Sequence, residues 1–311
     1  MLTKQWSPSS YGCAVDGKRC VVLKIRYHLK QEKIHIQDVL CGYTDDRRFM
    51  ASVGGKIRRK ALWVPLSFPS ASDRNDVVVC GIDDGDGLIK GARLHAAVES
   101  QLREVEHNKS GDYIRACASF FAAPKRLAIM GASAPRAIVN STLSQWKSLG
   151  VLNPCVGSIH AGITNLFLAL KLAPELADAS DSEIRHHHVV GCHLQDVNLF
   201  CYLLGNVFKD SGMSQRENSE ARDLIKHTYD WASEFSKKHR FFARDKVSFY
   251  LMGAAAADFA DAQVTEDASL MFFEKPWEGR ITYESERLRE CIEVESPALI
   301  ISAFGLALHG V

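Results

Sequence analysis

No apolar run in this chain approaches the roughly 20 residues that a membrane helix needs, which excludes a membrane-spanning helix. Nor is there an excess of either charge: 38 Lys and Arg stand against 37 Asp and Glu, a formal net of +1. That excludes a global field able to recruit nucleic acid or an acidic membrane. The nine cysteines contain no CxxC pair and are odd in number, which speaks against a zinc site or a disulfide frame and for reduced thiols in the cytosol. The opening MLTKQWSPSSYG lacks the charged start and apolar core of a signal peptide. What the chain does have is a 46% hydrophobic share over 311 residues, enough for a real core, with two domains as the natural expectation.

The most legible stretch is Leu127 to Leu170, LAIMGASAPRAIVNSTLSQWKSLGVLNPCVGSIHAGITNLFLAL. Leu127 to Ala132 suits a buried strand, and Ser133, Ala134 and Pro135 offer a cap and a proline in the first turn of a helix. Ile138, Val139, Thr142, Leu143, Trp146 and Leu149 then recur at helical spacing until Gly150 supplies a left-handed C-terminal residue. Asn153-Pro154 prevents continuation. A second strand near Cys155 to Ile159 leads into a helix carrying Ile163, Leu166, Phe167 and Leu170.

In chain order, residues 11 to 40 read as a β-hairpin or meander, with Cys20 to Tyr27 as one strand and Ile34, Ile36, Val39 and Leu40 on the next. The basic run Lys56, Arg58, Arg59, Lys60 reads as a solvated loop. Ala61 to Leu66 is a further apolar run, and the polar stretch 70 to 76 marks a subdomain boundary. Val77 to Ile82 is a strand, Leu88 to Ala92 returns as another, and a helix with His95, Val98 and Leu102 on one side precedes the strand Tyr113 to Phe121. Later come a strand pair from His186 to Asn206, a helix over Glu217 to Lys238, and the strand Val247 to Met252. Ser296 caps and Pro297 starts a helix, ALIISAFGLALHG, that is apolar nearly all round and should be buried across the core of the first domain.

Two clusters invite chemistry. GIDDGDGLIK, residues 81 to 90, matches the GIDxGxxxxK pattern of a phosphate-binding hairpin, yet Asp83, Asp84, Gly85, Asp86 and Gly87 are also what a tight turn wants, and three aspartates repel a nucleotide unless a metal intervenes. His186 to His188 with Cys192 and His193 invites a metal, but consecutive strand residues point to opposite faces and cannot chelate one ion easily. A surface or structural role is the expectation for that run.

The order of elements resembles that of an actin-like ATPase, and the detail resembles the PilM family of type IV pilus assembly proteins, with its relatives in competence and type II secretion. Residues 127 to 170 look like that family's helix ending in "aaGL" and its "vvDve" strand and helix. Residues 186 to 212, HHHVVGCHLQDVNLFCYLLGNVFKDSG, look like its second phosphate hairpin. Lys246 to Ala257 resembles its adenosine segment, and SPALIISAFGLALHG, 296 to 310, its terminal helix. The resemblance implies an α/β fold of the actin-like, ribonuclease H-like type with two domains and an inserted small α+β subdomain. The first domain would take 1–75, the insert 76–152, the return to the first domain 153–185, and the second domain 186–311, with the last helix packing back on the first. It also sets GIDDGDGLIK aside, because the family's first phosphate hairpin lies near the N-terminus, where Tyr11 to Lys24 has the right spacing.

The departures bear on function. The first hairpin is shortened to Ala14-Val15-Asp16-Gly17-Lys18, and in the second, Gly191 stands where the family has an aspartate and His193 where it has a glycine. In the adenosine segment Gly253 remains and Ala254 replaces the next glycine. The resemblance thus implies Asp16, Gly17, Gly253 and Ala254 as a weak, vestigial nucleotide site, no catalytic residue, no metal ligand, and ATP with magnesium as the one cofactor it admits. Hydrolysis needs a metal-bound phosphate and an oriented water. The expected function is a cytoplasmic scaffold, peripheral at the inner membrane, that binds the cytoplasmic tail of a PilN-like membrane protein and contacts the assembly ATPase. It would neither bind nucleic acid nor insert in the membrane, and no tail-contacting residue is assigned. The alternative is an active actin-like ATPase or ATP-dependent switch of the same machinery.

Overall fold

The structure is a computed structural model and describes residues 7–28, 31, 33–58, 60–66, 77–82, 91–106, 111–119, 128–172, 186–194, 197–204, 207–215, 226–228, 230–234, 237, 246–253 and 269–310. A first sheet begins with the antiparallel meander β1 (Ser10–Asp16), β2 (Arg19–His28) and β3 (Lys33–Tyr43); β4 (Leu62–Pro65) then pairs parallel to β1, and β8 (Pro154–Gly157) parallel to β4. A second sheet repeats the plan. β9 (His186–Leu194), β10 (Val197–Leu204) and β11 (Val207–Gln215) form an antiparallel meander, β12 (Lys246–Met252) pairs parallel to β9, and β13 (Ser269–Phe273) parallel to β12. Both sheets therefore run third, second, first, fourth, fifth in strand order, and the first adds β14 (Ile281–Tyr283) beside β3. Between β4 and β8 the chain inserts a separate three-stranded sheet, order β5-β7-β6, from β5 (Val77–Ile82), β6 (Tyr113–Ser119) and β7 (Ala128–Pro135), with helix α2 (Gly91–Glu106) on it.

Two helices lie between the large sheets: α4 (Ile159–Ala169), capped by the Ser158 hydroxyl, and α6 (Pro297–Ala307), with its proline in the first turn. Each is buried from its second residue to its last, as the all-round apolar pattern of the last helix requires. They cross where Gly162 meets Gly305; a Cβ on Gly305 would lie 2.7 Å from the Gly162 carbonyl carbon. Around this crossing one core joins Val21, Leu23 and Ile25 of the first sheet to Val190, Cys201 and Leu203 of the second. Alternation along β2 sends Cys20 and Val22 to the other face, against Met50, Val53, Trp146 and Val151. CVVL, residues 20–23, is apolar without a break because both faces of its sheet are covered, here by α1 (Arg47–Ile57) and α3 (Arg136–Ser148).

Several local expectations are corrected. Ser133 does not cap a helix: it is a buried residue of β7, the strand continues to Pro135, and α3 starts at Arg136 with no side-chain cap. Gly150 does end that helix, at φ +92°. Helix α1 was not expected; its buried stripe is only Met50, Val53 and Ile57, and Gly54-Gly55 interrupts the pattern, so Lys56 sits on a helix and not in a loop. Gly91 and Ala92 begin α2 instead of ending a strand. Short β14 returns the chain to the first sheet before the last helix does. Residues 83–90, Arg59, Gly205-Asn206 and most of the expected 217–238 helix fall wholly or partly outside the described residues, although 226–228 and 230–234 are helical. The histidine run behaves as strand geometry dictates: His187 bonds the Tyr202 hydroxyl at 2.6 Å on one face, while His188 packs against Phe167 and Tyr250 on the other.

Candidate functional site

Two places in the fold bear on function. The first is the β1–β2 turn. Asp16 pairs with Arg19, so only Gly17 and Lys18 make the turn, and Gly17 takes the φ of +53° that a tight hairpin demands. Asp16 is exposed at the tip. Thr44 donates its N–H to the Lys18 carbonyl at 2.8 Å, and the Lys18 ammonium pairs with Asp45 at 2.7 Å. Arg19 is held more firmly: both ends of its guanidinium donate to Glu295, Nε to Oε2 at 3.1 Å, while its plane covers the Tyr43 ring. Glu295 is only 7% exposed. Hydrogen bonding to that carboxylate raises the Arg19 pKa, and burial, with the Glu295 charge beside it, pushes the Cys41 thiol up to about 12.

A bound triphosphate needs cations and a loop of N–H groups turned toward it, and here the turn is two residues long and the two cations after Asp16 are both engaged by carboxylates. Gly253, at φ +84°, closes β12 and donates its N–H to Phe273 at 3.1 Å; among the described residues no hydrogen bond joins it to the hairpin. Ala254 lies outside the described residues. Gly191 and Cys192 are interior to β9, paired with Phe200 and Leu199.

The second place is a cavity of about 80 Å³ where the inserted sheet meets the first sheet. β6 supplies Ile114 and Ala116, β7 supplies Ala132, Ser133 and Ala134, α3 supplies Val139, and Leu66 with Val156, Gly157 and Ser158 close the other side. Ile114 pairs with Ala134 and Ala116 with Ala132, so four of these residues share one face of the small sheet. Among the described residues β6 and β8 are both edge strands, each with one side not hydrogen-bonded to another strand. The short side chains of β7, ASA in the sequence, are what leave the space open, and Ala116 is exposed. Sequence reasoning assigned no residue here. Nothing in an Ala-Ser-Ala run marks a cavity until a second wall is placed opposite it.

No protein-family model matches the chain, and no characterised protein matches it by sequence. By structure the chain is similar to a chain of a PilM–PilN type IV pilus biogenesis complex, with a TM-score of 0.57 and 15% identity, covering 97% of this chain and 98% of that one. It is more distantly similar to a Bacteroides thetaiotaomicron protein with an actin-like ATPase fold (TM-score 0.42, 9% identity, 92% and 96% covered). A similarly distant likeness is to the cytoplasmic domain of EpsL, an inner-membrane component of the type II secretion system of Vibrio cholerae (TM-score 0.36, 9% identity, 90% and 92% covered). With its duplicated sheet order and two crossed helices, the chain shares its fold with that chain of the PilM–PilN complex.

Proposed function

We propose that this chain is a scaffold of a type IV pilus or related secretion or DNA-uptake platform. It would hold the cytoplasmic tail of a PilN-like membrane protein in the groove between β6–β7 and β8. The observation that carries this is the groove itself. It is lined by Ile114, Ala116, Ala132, Ala134, Val139 and Val156 and flanked by the edge strands β6 and β8. An extended peptide laid along such an edge gains main-chain hydrogen bonds from N–H and C=O groups left over by the sheet, and apolar seats for alternate side chains. The likeness to the PilM–PilN complex over nearly the whole chain supports the same reading. A nucleotide role is secondary: Asp16, Gly17, Gly253 and Ala254 remain the residues that would hold ATP with magnesium, and we take hydrolysis to be weak or lost because Lys18 and Arg19 are engaged elsewhere. No helix among the described residues is long and apolar enough to cross a membrane, so a peripheral place at the inner membrane would come through the partner, and contact with the assembly ATPase belongs to the same proposal.

The test is equilibrium binding of a synthetic peptide copying the cytoplasmic tail of the membrane protein encoded beside this chain. Ala132→Phe and Ala116→Phe fill the groove from residues that are not part of a packed core, so binding should fall at least tenfold with the melting temperature unchanged. Tight binding that ignores both substitutions would sink the assignment of the groove.

A further inference from the structure

We propose that the outer helical layer of the first sheet is a docking surface for an anionic lipid bilayer. Residues 47–66 contain six cations, Arg47, Arg48, Lys56, Arg58, Arg59 and Lys60, and no Asp or Glu; residues 136–158 add Arg136 and Lys147, again without a carboxylate. The fold lays these two acid-free stretches side by side, because α1 and α3 cover the same sheet face through Met50, Val53 and Trp146. They touch where Gly54 of α1 faces the Gly150 carbonyl, 2.7 Å from the place of a Cβ. Leu62 donates its N–H to the Asn153 carbonyl at 3.1 Å and pairs with Pro154. Lys60 and Leu152 thus both lie just before the paired ends of β4 and β8, and the Lys60 ammonium sits over the Tyr11 ring, 5.7 Å from its centroid.

Leu152 is 74% exposed, one of two large apolar side chains so exposed among the described residues. Around it Arg58, Lys60 and Lys147 are exposed. Between the cations the outer positions are uncharged: Ala51, Ser52 and Gly55 on α1, Asn140, Ser141, Ser144, Gln145 and Ser148 on α3. Carboxylates border the layer too: Asp38 pairs with Lys56, Asp112 with Arg136 and Asp45 with Lys18, and Asp46 caps α1, so the positive charge left on the layer rests on Arg47, Arg48, Arg58, Lys60 and Lys147. The result is a positive surface with an exposed leucine beside it. A bilayer with anionic headgroups matches both features at once, since the headgroups meet the cations and the leucine enters the acyl boundary. A nucleic acid would meet the cations and leave Leu152 in water. The surface lies at the N-terminal ends of β4 and β8, whereas the groove lies at their C-terminal ends, so the two can be occupied together and tested apart.

The test is co-sedimentation of the full chain with vesicles of phosphatidylcholine alone and of phosphatidylcholine mixed with phosphatidylglycerol. The chain should pellet only with the anionic vesicles and come off as salt is raised. Arg58→Gln and Lys60→Gln should each lower the partition coefficient about fivefold, and Leu152→Ser up to about tenfold with the salt dependence unchanged. Arg289→Gln, on the exposed face of α5 (Glu286–Glu293), should change nothing, and circular dichroism should be the same for every variant. Absence of binding to anionic vesicles at low salt overturns the proposal, as does binding unmoved by Lys60→Gln and Leu152→Ser. So does capture of a single-stranded oligonucleotide or an acidic protein through these cations by a chain that ignores the vesicles.

Discussion

Replacing Gly305 by alanine tests whether the crossing of α4 and α6 sets the distance between the two large sheets. A Cβ there would sit 2.7 Å from the Gly162 carbonyl carbon, 2.8 Å from its oxygen and 3.1 Å from its Cα. These are backbone atoms of a buried helix, so no side chain can rotate away and the helices must part by several tenths of an ångström. Overpacking of a single methyl in a well-packed core costs ~1–3 kcal/mol, and the upper end applies where backbone meets backbone. Against this, alanine is favoured over glycine in a helix by ~1 kcal/mol. The net expectation is a loss of ~2 kcal/mol, or a fall in melting temperature of roughly 4–8 °C by the scaling for domains of somewhat smaller size. The control has the opposite sign. A Cβ on Gly55, exposed on α1, finds nothing within 4 Å, so Gly55→Ala should raise stability by ~0.5–1 kcal/mol. Calorimetric melting of the three proteins decides the matter. A Gly305→Ala protein that melts at or above the wild type would refute the claim that the two helices are in backbone contact.

The Arg19–Glu295 pair should behave as a buried one on the Glu295 side. Losing one partner of a buried pair costs ~3–5 kcal/mol; with the Arg19 side chain 34% exposed the expected loss for Arg19→Met is about half that, and Glu295→Leu added to it should recover most of the loss in urea titrations. His309 packs on Trp63 and donates Nε2–H to the Ser158 carbonyl at 3.0 Å; burial holds its pKa below the ordinary histidine value, opposed by that hydrogen bond. The neutral form is therefore favoured in the fold, so stability is full above the unfolded pKa, ~6.5, and falls as the pH drops below it. Melting temperatures at pH 7 and pH 5 should differ more for the wild type than for His309→Gln. ATP with magnesium at millimolar concentration should leave the melting temperature unmoved, and a rise that Asp16→Ala abolishes would favour the switch reading over the scaffold.

Much of the framework could be read from the chain. Gly150 ends its helix, Pro297 opens a helix buried from its second residue to its last, and the alternation in CVVLKI distributes over two covered faces, whereas Ser158, expected inside a strand over 155–159, caps the next helix. Helix α1 escaped because its stripe is three residues wide and carries two glycines, and Ser133 misled because a serine before a proline looks the same whether it caps a helix or hides in a strand. The groove escaped entirely. Its walls are residues 66, 114–116, 132–139 and 156–158, small or ordinary in type, and only the meeting of two sheets makes them a site.

By itself, then, the sequence determined which residues face inward and where elements start and stop, because those depend on spacing along one strand or helix and on the chemistry of single cap and turn residues. The tertiary structure decided who faces whom. Glu295 reaches Arg19 across 276 residues, Gly162 meets Gly305, and β14 joins a sheet begun near the N-terminus. Lys60 and Leu152 come to the same end of the first sheet only through the parallel pairing of β4 with β8. Periodicity names a face but not its partner, and both proposed surfaces are made of partners.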